Sequence, residues 1–502
     1  MKKGKFCLVL FFSSLVFYLP SLRLPLFFDD VEVLGDPRIR SFSGIKSISP
    51  AERPLRLYTF SVDRKLWGEK YWIWRLENIL FHGVNTCILF YLLTLLGIPL
   101  RFSFLSSLIF AIHPIHFETL LVISHRKEEL LFFFYILSFI FYIKNRPVVS
   151  IIFFLFSLLS KEVAISLPFV LLAYEFTHEK KFKKTIPFFV ILFVLLLYLP
   201  FSPFHLPSYR EYSPLKGKHP VFLLLNLPLY AFLYLQKLIL PWNTCIDPPF
   251  PLLSSPLLII FWGMWFGVIF LALKAGKKTL FLILFFFITF LFISPLIPAV
   301  NPLADRYMYL SSIGIFPLLF LLHRRWKYAI PYILLITIFS CLSMKDWRSQ
   351  EGIWKRTLRF NPSSYLAHNN LGVIYRDRGE LNKAETEFKK AIHSEPRFYA
   401  PYVNLGNIYF KKKNYKKAKS LFFKALEKRK EPRIYFNLGL VYLYLGQPDS
   451  ALYCFETSAK LSPSHFPSFL NAGILYFKRG DIEKAEFLSL IHISEPTRPR
   501  LI

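Results

Sequence analysis

Cysteine is scarce in this chain. Five residues, Cys7, Cys87, Cys245, Cys341 and Cys454, are spread over 502 positions, and none forms a C-x-x-C pair. The irregular spacing argues against metal knuckles and a disulfide framework, and Cys7, Cys87 and Cys341 fall in apolar runs where they read as small buried hydrophobes. Acidic residues are also few: 32 Asp and Glu stand against 62 Lys and Arg, a net charge of +30. No RNA-binding or DNA-binding motif accompanies that excess, so nucleic acid is not an expected partner. Many of the basic residues sit in short loops between apolar runs, where they set membrane topology. No A-x-A-like cleavage site follows the apolar start; the residues there are Ser21-Leu22-Arg23-Leu24-Pro25. The segment therefore reads as an uncleaved first transmembrane helix.

What the chain has in abundance is apolar residues, 54% of the total, with a mean hydropathy of +0.40. Long Phe, Leu and Ile runs fill residues 1–344, and ordinary amphipathic patterning follows from 345. Apolar runs lie near 6–22, 77–98, 102–123, 129–143, 148–160, 163–177, 185–201, 220–240, 254–273, 278–297, 306–322 and 328–344. Several are shorter than the roughly 20 residues a helix needs to cross lipid. Basic clusters at Lys2-Lys3-Lys5, Arg101, Lys144 with Arg146, Lys180 to Lys184, Lys274 with Lys277-Lys278, and His323-Arg324-Arg325-Trp326-Lys327 share one face if the positive-inside rule holds. One run must then fail to cross. The segment 220–240, interrupted by Pro228 and ended by Pro241, is expected to be re-entrant or interfacial. That leaves about 11 crossings, with the N-terminus cytoplasmic and the C-terminal part external.

This topology gathers the unusual polar clusters at the external face. They are Asp29-Asp30, His113-Pro114-Ile115-His116, Arg126-Lys127-Glu128-Glu129, Lys161-Glu162 and Asp305-Arg306. Ionisable groups at membrane depth are costly and signal function. Lys161 and Arg306 are expected to hold an anionic head group such as a lipid phosphate; helix-end ion pairing is the plainer alternative. Asp29 or Asp30 can serve as a general base or merely cap a helix from Val31. His113 and His116, with Glu118 close by, have a spacing that could ligate a metal, but Pro114 disfavours a regular helix and no further His/Cys cluster occurs. Hydrogen-bonding or acceptor-site roles are expected for them, and no metal is assigned.

After residue 361 a period appears. Asn370-Leu371-Gly372 with Tyr375 recurs at Asn404, Asn437 and Asn471, with offsets of 34, 33 and 34. Ala384, Ala418, Ala451 and Ala485 keep step, as do Phe388, Phe422 and Phe455. This is the tetratricopeptide (TPR) pattern, an α-solenoid that presents a groove to peptides or partner proteins. Asn370, Asn404, Asn437 and Asn471 are the expected groove residues. Lys411 to Lys413 and Lys416-Lys417 read mainly as a solvated face. The period breaks near Ser489, and residues 489–502 are set aside as a probable non-native tail (a sequence artefact).

The fold class is accordingly all-α: a polytopic transmembrane bundle over 1–344 and a TPR solenoid over 345–488. The ordered series Phe28-Asp29-Asp30, Arg53-Pro54-Leu55, Trp67-Gly68, Asn78 with His82 and Asn85, His113 to Glu118, Arg126 to Leu130, Ser160-Lys161-Glu162 and Asp305 to Gly314, with TPRs behind it, resembles the transmembrane-and-TPR (TMTC-like) group of GT-C glycosyltransferases, including bacterial relatives of protein O-mannosyltransferases. Ser311 stands where that group usually has Pro. The resemblance implies transfer of a hexose such as mannose from a polyprenyl-phosphate donor to Ser/Thr hydroxyls. Asp29 or Asp30 would be catalytic, Lys161, Arg306 and Arg126 would hold the donor phosphate, and His113, His116, Glu118, Lys127, Glu162 and Asp305 would support them. The TPRs would recruit the acceptor. No cofactor is required beyond the lipid-linked substrate, and a divalent cation stays an open question. Two rivals are a TPR-bearing membrane scaffold for envelope proteins and a transferase of the same fold acting on a lipid or glycan.

Overall fold

A computed structural model describes residues 2–27, 29–40, 53–198, 220–251, 253, 257–294, 303–323, 329–463 and 465–493. Phe28, Arg324 to Lys327 and the tail from 494 lie outside them. Every described element is helical. The chain divides into two compact units, Met1–Arg356 and Thr357–Ile502.

The first unit opens with α1 (Lys2–Tyr18), a short α2 (Asp30–Leu34), α3 (Pro54–Trp67) and the long α4 (Tyr71–Leu95). Then come α5 (Leu100–Ile112), α6 (Phe117–Leu121), α7 (Arg126–Ile143), α8 (Pro147–Ser160) and α9 (Leu167–Thr177). Among the described residues, five helices are long and apolar enough to span a membrane: Lys3–Arg23, Tyr71–Leu95, Val221–Ile239, Leu258–Ala275 and Ala329–Asp346. A sixth span forms if Leu100–Ile112 and Pro114–Leu121, bent by 48° at His113-Pro114, are counted together. Many exposed Leu, Ile and Phe side chains cover the outer surface of the bundle, as contact with lipid rather than water requires.

Two expectations change here. The run 220–240 is not broken by Pro228: a continuous helix spans Pro220–Ile239 with that proline inside it. The proline cannot donate a backbone hydrogen bond, but Trp265 Nε1 donates to the Pro228 carbonyl at 2.8 Å and Trp262 Nε1 to that of Leu225 at 3.1 Å. Neighbouring indoles thus bond carbonyls beside and one turn beyond the Leu224 carbonyl, which the proline leaves without its helical donor. The run 306–322, by contrast, is not one helix. It divides into two 3-10 turns, Asp305–Tyr307 and Ser312–Gly314, and two short helices, Met308–Ser311 and Leu318–His323.

The second unit is a series of antiparallel helix pairs with the period read from the sequence: Tyr365–Asp377 with Leu381–Ser394, Ala400–Lys411 with Tyr415–Lys428, Pro432–Tyr444 with Pro448–Leu461, and Phe466–Lys478 with Ile482–Ile493. The glycines mark the crossings. A Cβ on Gly372, Gly406 or Gly439 would lie 2.5, 2.7 or 2.6 Å from the ring of Phe388, Phe422 or Phe455. The matching position after Gly473 is Ser489, and among the described side chains a Cβ added to Gly473 would meet Ala485 O at 3.6 Å and Leu488 Cβ at 3.8 Å. The helix nevertheless continues to Ile493, past the break in the period. Gly406→Val should destabilise the array by ~1–3 kcal/mol through overpacking. Gly473→Ala should be neutral or stabilise by up to ~1 kcal/mol through helix propensity. Hydrogen exchange of the repeat helices in the full chain checks both.

Candidate active site

Between α1 and α2 a 3-10 helix, Leu19–Arg23, gives way to irregular chain whose carbonyls need other partners. Arg75 of α4 supplies them. Its fully buried guanidinium donates to the carbonyls of Ser21 (3.3 Å), Leu24 (2.6 Å), Pro25 (2.7 Å) and Leu121 (3.1 Å). Asp30 fixes the same loop from its other end. Its Oδ2 accepts from Phe27 N at 3.0 Å and its Oδ1 from Ser124 N at 2.7 Å. Burial pushes the Asp30 carboxyl up from its ordinary value, and those backbone bonds oppose the shift.

Asp29 is different. It occupies the N-cap position of α2 but its side chain makes no capping bond, and it is exposed. Among the described residues no hydrogen bond holds its carboxylate, while the charge of Arg56 lies within reach. Of the two candidate bases, Asp30 is a structural tie and Asp29 is the available carboxylate.

Lys161 and Arg306 come together on the ring of Tyr307, with Lys161 Nζ 4.8 Å from its centroid and the Arg306 guanidinium 4.9 Å. Lys161 pairs with Glu128 at 2.5 Å. Arg306 pairs with Glu118, which also accepts from the Arg306 backbone N–H at 3.2 Å. Glu162 binds Arg53 through both its oxygens, at 3.0 and 3.3 Å. Half of the Glu162 side chain is exposed, and against the burial of the rest Arg53 and Lys161 hold its carboxyl down at about 2.

Lys127 lies in the middle of these cations. It is only 8% exposed, and Arg53, Arg56 and Arg306 all act on it. Burial and those three positive neighbours push its ammonium well below the ordinary lysine value. Among the described residues it has no hydrogen bond or ion pair. Arg56 is only partly satisfied: Nη1 donates to Ser124 O at 3.3 Å and its buried Nε has no partner. Burial, then Arg53, lowers the Arg56 guanidinium to about 10. Among the described residues Glu118, Glu128 and Glu162 pair with Arg306, Lys161 and Arg53 respectively, whereas no ion pair forms at Lys127 or Arg56, and Asp29 and Asp36 act on Arg56 through their charge alone.

Arg126 belongs elsewhere. It is 1% exposed, pairs with Asp63, and donates to Asn78 Oδ1 (2.7 Å), Trp74 O (2.9 Å) and Glu77 Oε2 (3.2 Å). Four of its N–H donors are therefore spent on tying α7 to α3 and α4. Asp305 pairs with Lys237 at 2.5 Å. His113 hydrogen-bonds at both nitrogens, accepting from Ile115 N at 3.2 Å and donating to Leu238 O at 3.2 Å. Both His116 nitrogens are buried without partners among the described residues, in a cage that includes Phe110, Tyr309 and Phe316. No group of His, Cys, Asp and Glu suited to a metal forms among the described residues.

In the repeats, Asn404 donates to Asn369 Oδ1 at 3.1 Å and accepts from Arg376 at 3.1 Å, and Asn437 donates to Asn407 Oδ1 at 3.0 Å. These two amides link successive repeats. Asn370 and Asn471 bond back to Leu366 O and Pro467 O of their own helices, at 2.7 and 2.8 Å.

Sequence reasoning missed Arg75, Arg56 and Lys237. Arg75 precedes the apolar run read from 77, so it had the appearance of a loop residue. Lys237, a lone cation inside an apolar run, was the detectable signal.

The Glu162 shift sets a pH dependence. Its folded pKa is depressed, so its contribution to stability is whole above its ordinary value of 4.5 and is lost as pH falls toward about 2. Because solvent screens this half-exposed pair, the wild type's thermal midpoint should fall only slightly more across that window than that of Glu162→Gln.

Tetratricopeptide-repeat models match residues 365–398, 399–428 and 432–465. Over 431 residues the chain is 24% identical to the protein O-mannosyl-transferase F38B6.6 of Caenorhabditis elegans, covering 76% of this chain and 61% of that protein. Over 480 residues it is 26% identical to the mouse protein O-mannosyl-transferase TMTC4, covering 75% of this chain and 65% of that one. The chain thus spans less than two thirds of the length of either relative. Among solved structures, Pseudomonas aeruginosa PilF matches 32% of this chain and 72% of its own, at 24% identity and a TM-score of 0.28, too low to bear on the fold. The chain is TMTC-like: over about three quarters of its length it is similar to the TMTC-type protein O-mannosyltransferases, and tetratricopeptide repeats follow its membrane unit.

Proposed function

We propose that this protein is a membrane glycosyltransferase of GT-C type. It moves a hexose such as mannose from a polyprenyl-phosphate donor to Ser or Thr hydroxyls of proteins on the external face, and its repeats recruit the acceptor. The observation that carries the reading is two basic side chains with spare donors: the buried Lys127, which has no hydrogen bond or ion pair among the described residues, and the half-buried, partly satisfied Arg56, on which the charge of the exposed Asp29 acts. Leaving such groups unpaired is costly, and a phosphate would satisfy them. The names of the similar proteins supply the reaction class.

In this mechanism Asp29 accepts the proton of the acceptor hydroxyl as its oxygen attacks the anomeric carbon. The bond from that carbon to the phosphate oxygen breaks, and its electron pair leaves on the phosphate. Lys127, Arg56, Arg306 and Lys161 stabilise the charge that builds there. A single displacement inverts the anomeric centre. About 11 crossings, including the short apolar helix Pro147–Ser160, would place this face in the periplasm of a bacterium and the N-terminus in the cytoplasm.

The two aspartates separate by test. Asp29→Asn should abolish transfer and leave the thermal midpoint unchanged. Asp30→Asn should lower stability by ~1–3 kcal/mol, because an amide cannot accept both backbone N–H groups. Masses of external proteins from cells expressing each variant at equal levels give the first readout. Loss of a hexose-sized increment from Ser/Thr peptides in Asp29→Asn is expected. Unchanged peptides in wild type and both variants would favour the scaffold or a lipid or glycan acceptor.

A further inference from the structure

The far ends of the same helices carry a second feature. Between α1, α4 and α7 runs an open groove of ≈ 330 Å³, lined by Phe11, Val84, Ile88, Tyr91, Phe141 and Lys144 among others. It lies away from Asp29: Val84 to Tyr91 are in the second half of α4, and Phe141 and Lys144 are at the end of α7. Its wall is apolar except at Lys144. The α1 side stays close to α4 beside it, with the Phe11 ring 2.8 Å from where a Cβ on Gly83 would lie and Cys87 Sγ donating to Cys7 O at 3.2 Å.

Lys144 is exposed, and its ammonium stands 4.9 Å above the Tyr91 ring. Among the described residues it has no carboxylate or other hydrogen-bond partner. The neighbouring acid is already occupied: Glu179 pairs with Lys181 at 3.1 Å and Lys184 at 3.3 Å, and Lys184 also donates to Asn145 at 2.6 Å. Arg146 adds a further exposed positive charge beside the groove mouth. An acyl chain alone would complement the wall, but it leaves the cation at the mouth unanswered. A basic group at the end of an apolar groove between membrane helices fits an anionic lipid head group.

We infer that this groove binds an anionic phospholipid, with one acyl chain along α4 and α7 and its phosphate on Lys144. The bound chain fills the space beside α1 and braces that helix, whose other end leads into the loop held by Arg75. This site is separate from the proposed donor site, and its test does not use transfer activity.

Native mass spectrometry of the purified full chain in detergent, titrated with phosphatidylglycerol or phosphatidylcholine, tests the inference. The wild type should hold one phosphatidylglycerol about fivefold more tightly than phosphatidylcholine, the discrimination expected of one basic residue. Lys144→Gln should erase that preference while still binding either lipid weakly. Ile88→Trp, which fills the groove, should reduce retention of both. Equal retention of the two lipids by the wild type, or an undiminished phosphatidylglycerol preference in Lys144→Gln, would overturn the inference and leave only annular lipid. Since Lys144 is exposed, its substitution tests the site without depending on whether Ile88→Trp folds.

Discussion

Four carbonyl oxygens converge on one buried guanidinium, and the geometry of the candidate site follows from it. The stretch after α1 must carry its backbone polar groups through a mostly apolar bundle, where an unsatisfied group costs roughly 1–3 kcal/mol. Arg75 donates to Leu24, Pro25 and Leu121 at once, and adds a second donor to the Ser21 carbonyl that Leu24 N already bonds. Asp30 complements it by accepting the N–H groups of Phe27 and Ser124. The two residues fix the loop after α1 against the turn before α7. Asp29 is adjacent to one tie, and Arg126-Lys127 follow directly from the other.

Two adjacent pairs divide their labour in the same way. In Asp29-Asp30 the second residue is locked inside and the first is free. In Arg126-Lys127 the arginine is consumed by Asp63, Asn78, Trp74 and Glu77, and the lysine has no partner among the described residues. A helix turns by about 100° per residue, so neighbours on α7 face different surroundings. One faces the packed helices, and the other faces the cations around Tyr307. Ion pairs such as Lys161–Glu128 and Arg306–Glu118 hold the cations around Tyr307 in place, and on the proposed reading Lys127, unpaired among the described residues, is left to bind phosphate.

The repeats were legible because a period of 33–34 residues leaves its mark in small and large residues, and the clash of a Cβ at Gly372 with Phe388 is the physical form of that mark. Lys161 and Arg306 were legible because charge at membrane depth is costly. Their shared ring, Tyr307, was not, since a 3-10 turn rather than a long helix brings them together. Arg126 was expected to hold the phosphate and Lys127 only to support it, because sequence gives no side-chain direction without a known helix face. Pro228 suggested a break, but support from Trp262 and Trp265 is tertiary and invisible in local sequence. Arg75 carried no motif, and its partners lie 46–54 positions away along the chain.

The central claim is that the unpaired cations form the seat of a lipid-linked phosphate. Binding of a radiolabelled polyprenyl phosphate to the purified full chain, wild type against Lys127→Gln, tests it most directly, with circular dichroism to confirm equal folding. The account predicts saturable binding by the wild type and a loss of about tenfold or more in the variant, the scale of one charge-assisted contact worth ~1.5–3 kcal/mol. Equal affinity of the two folded proteins would contradict it.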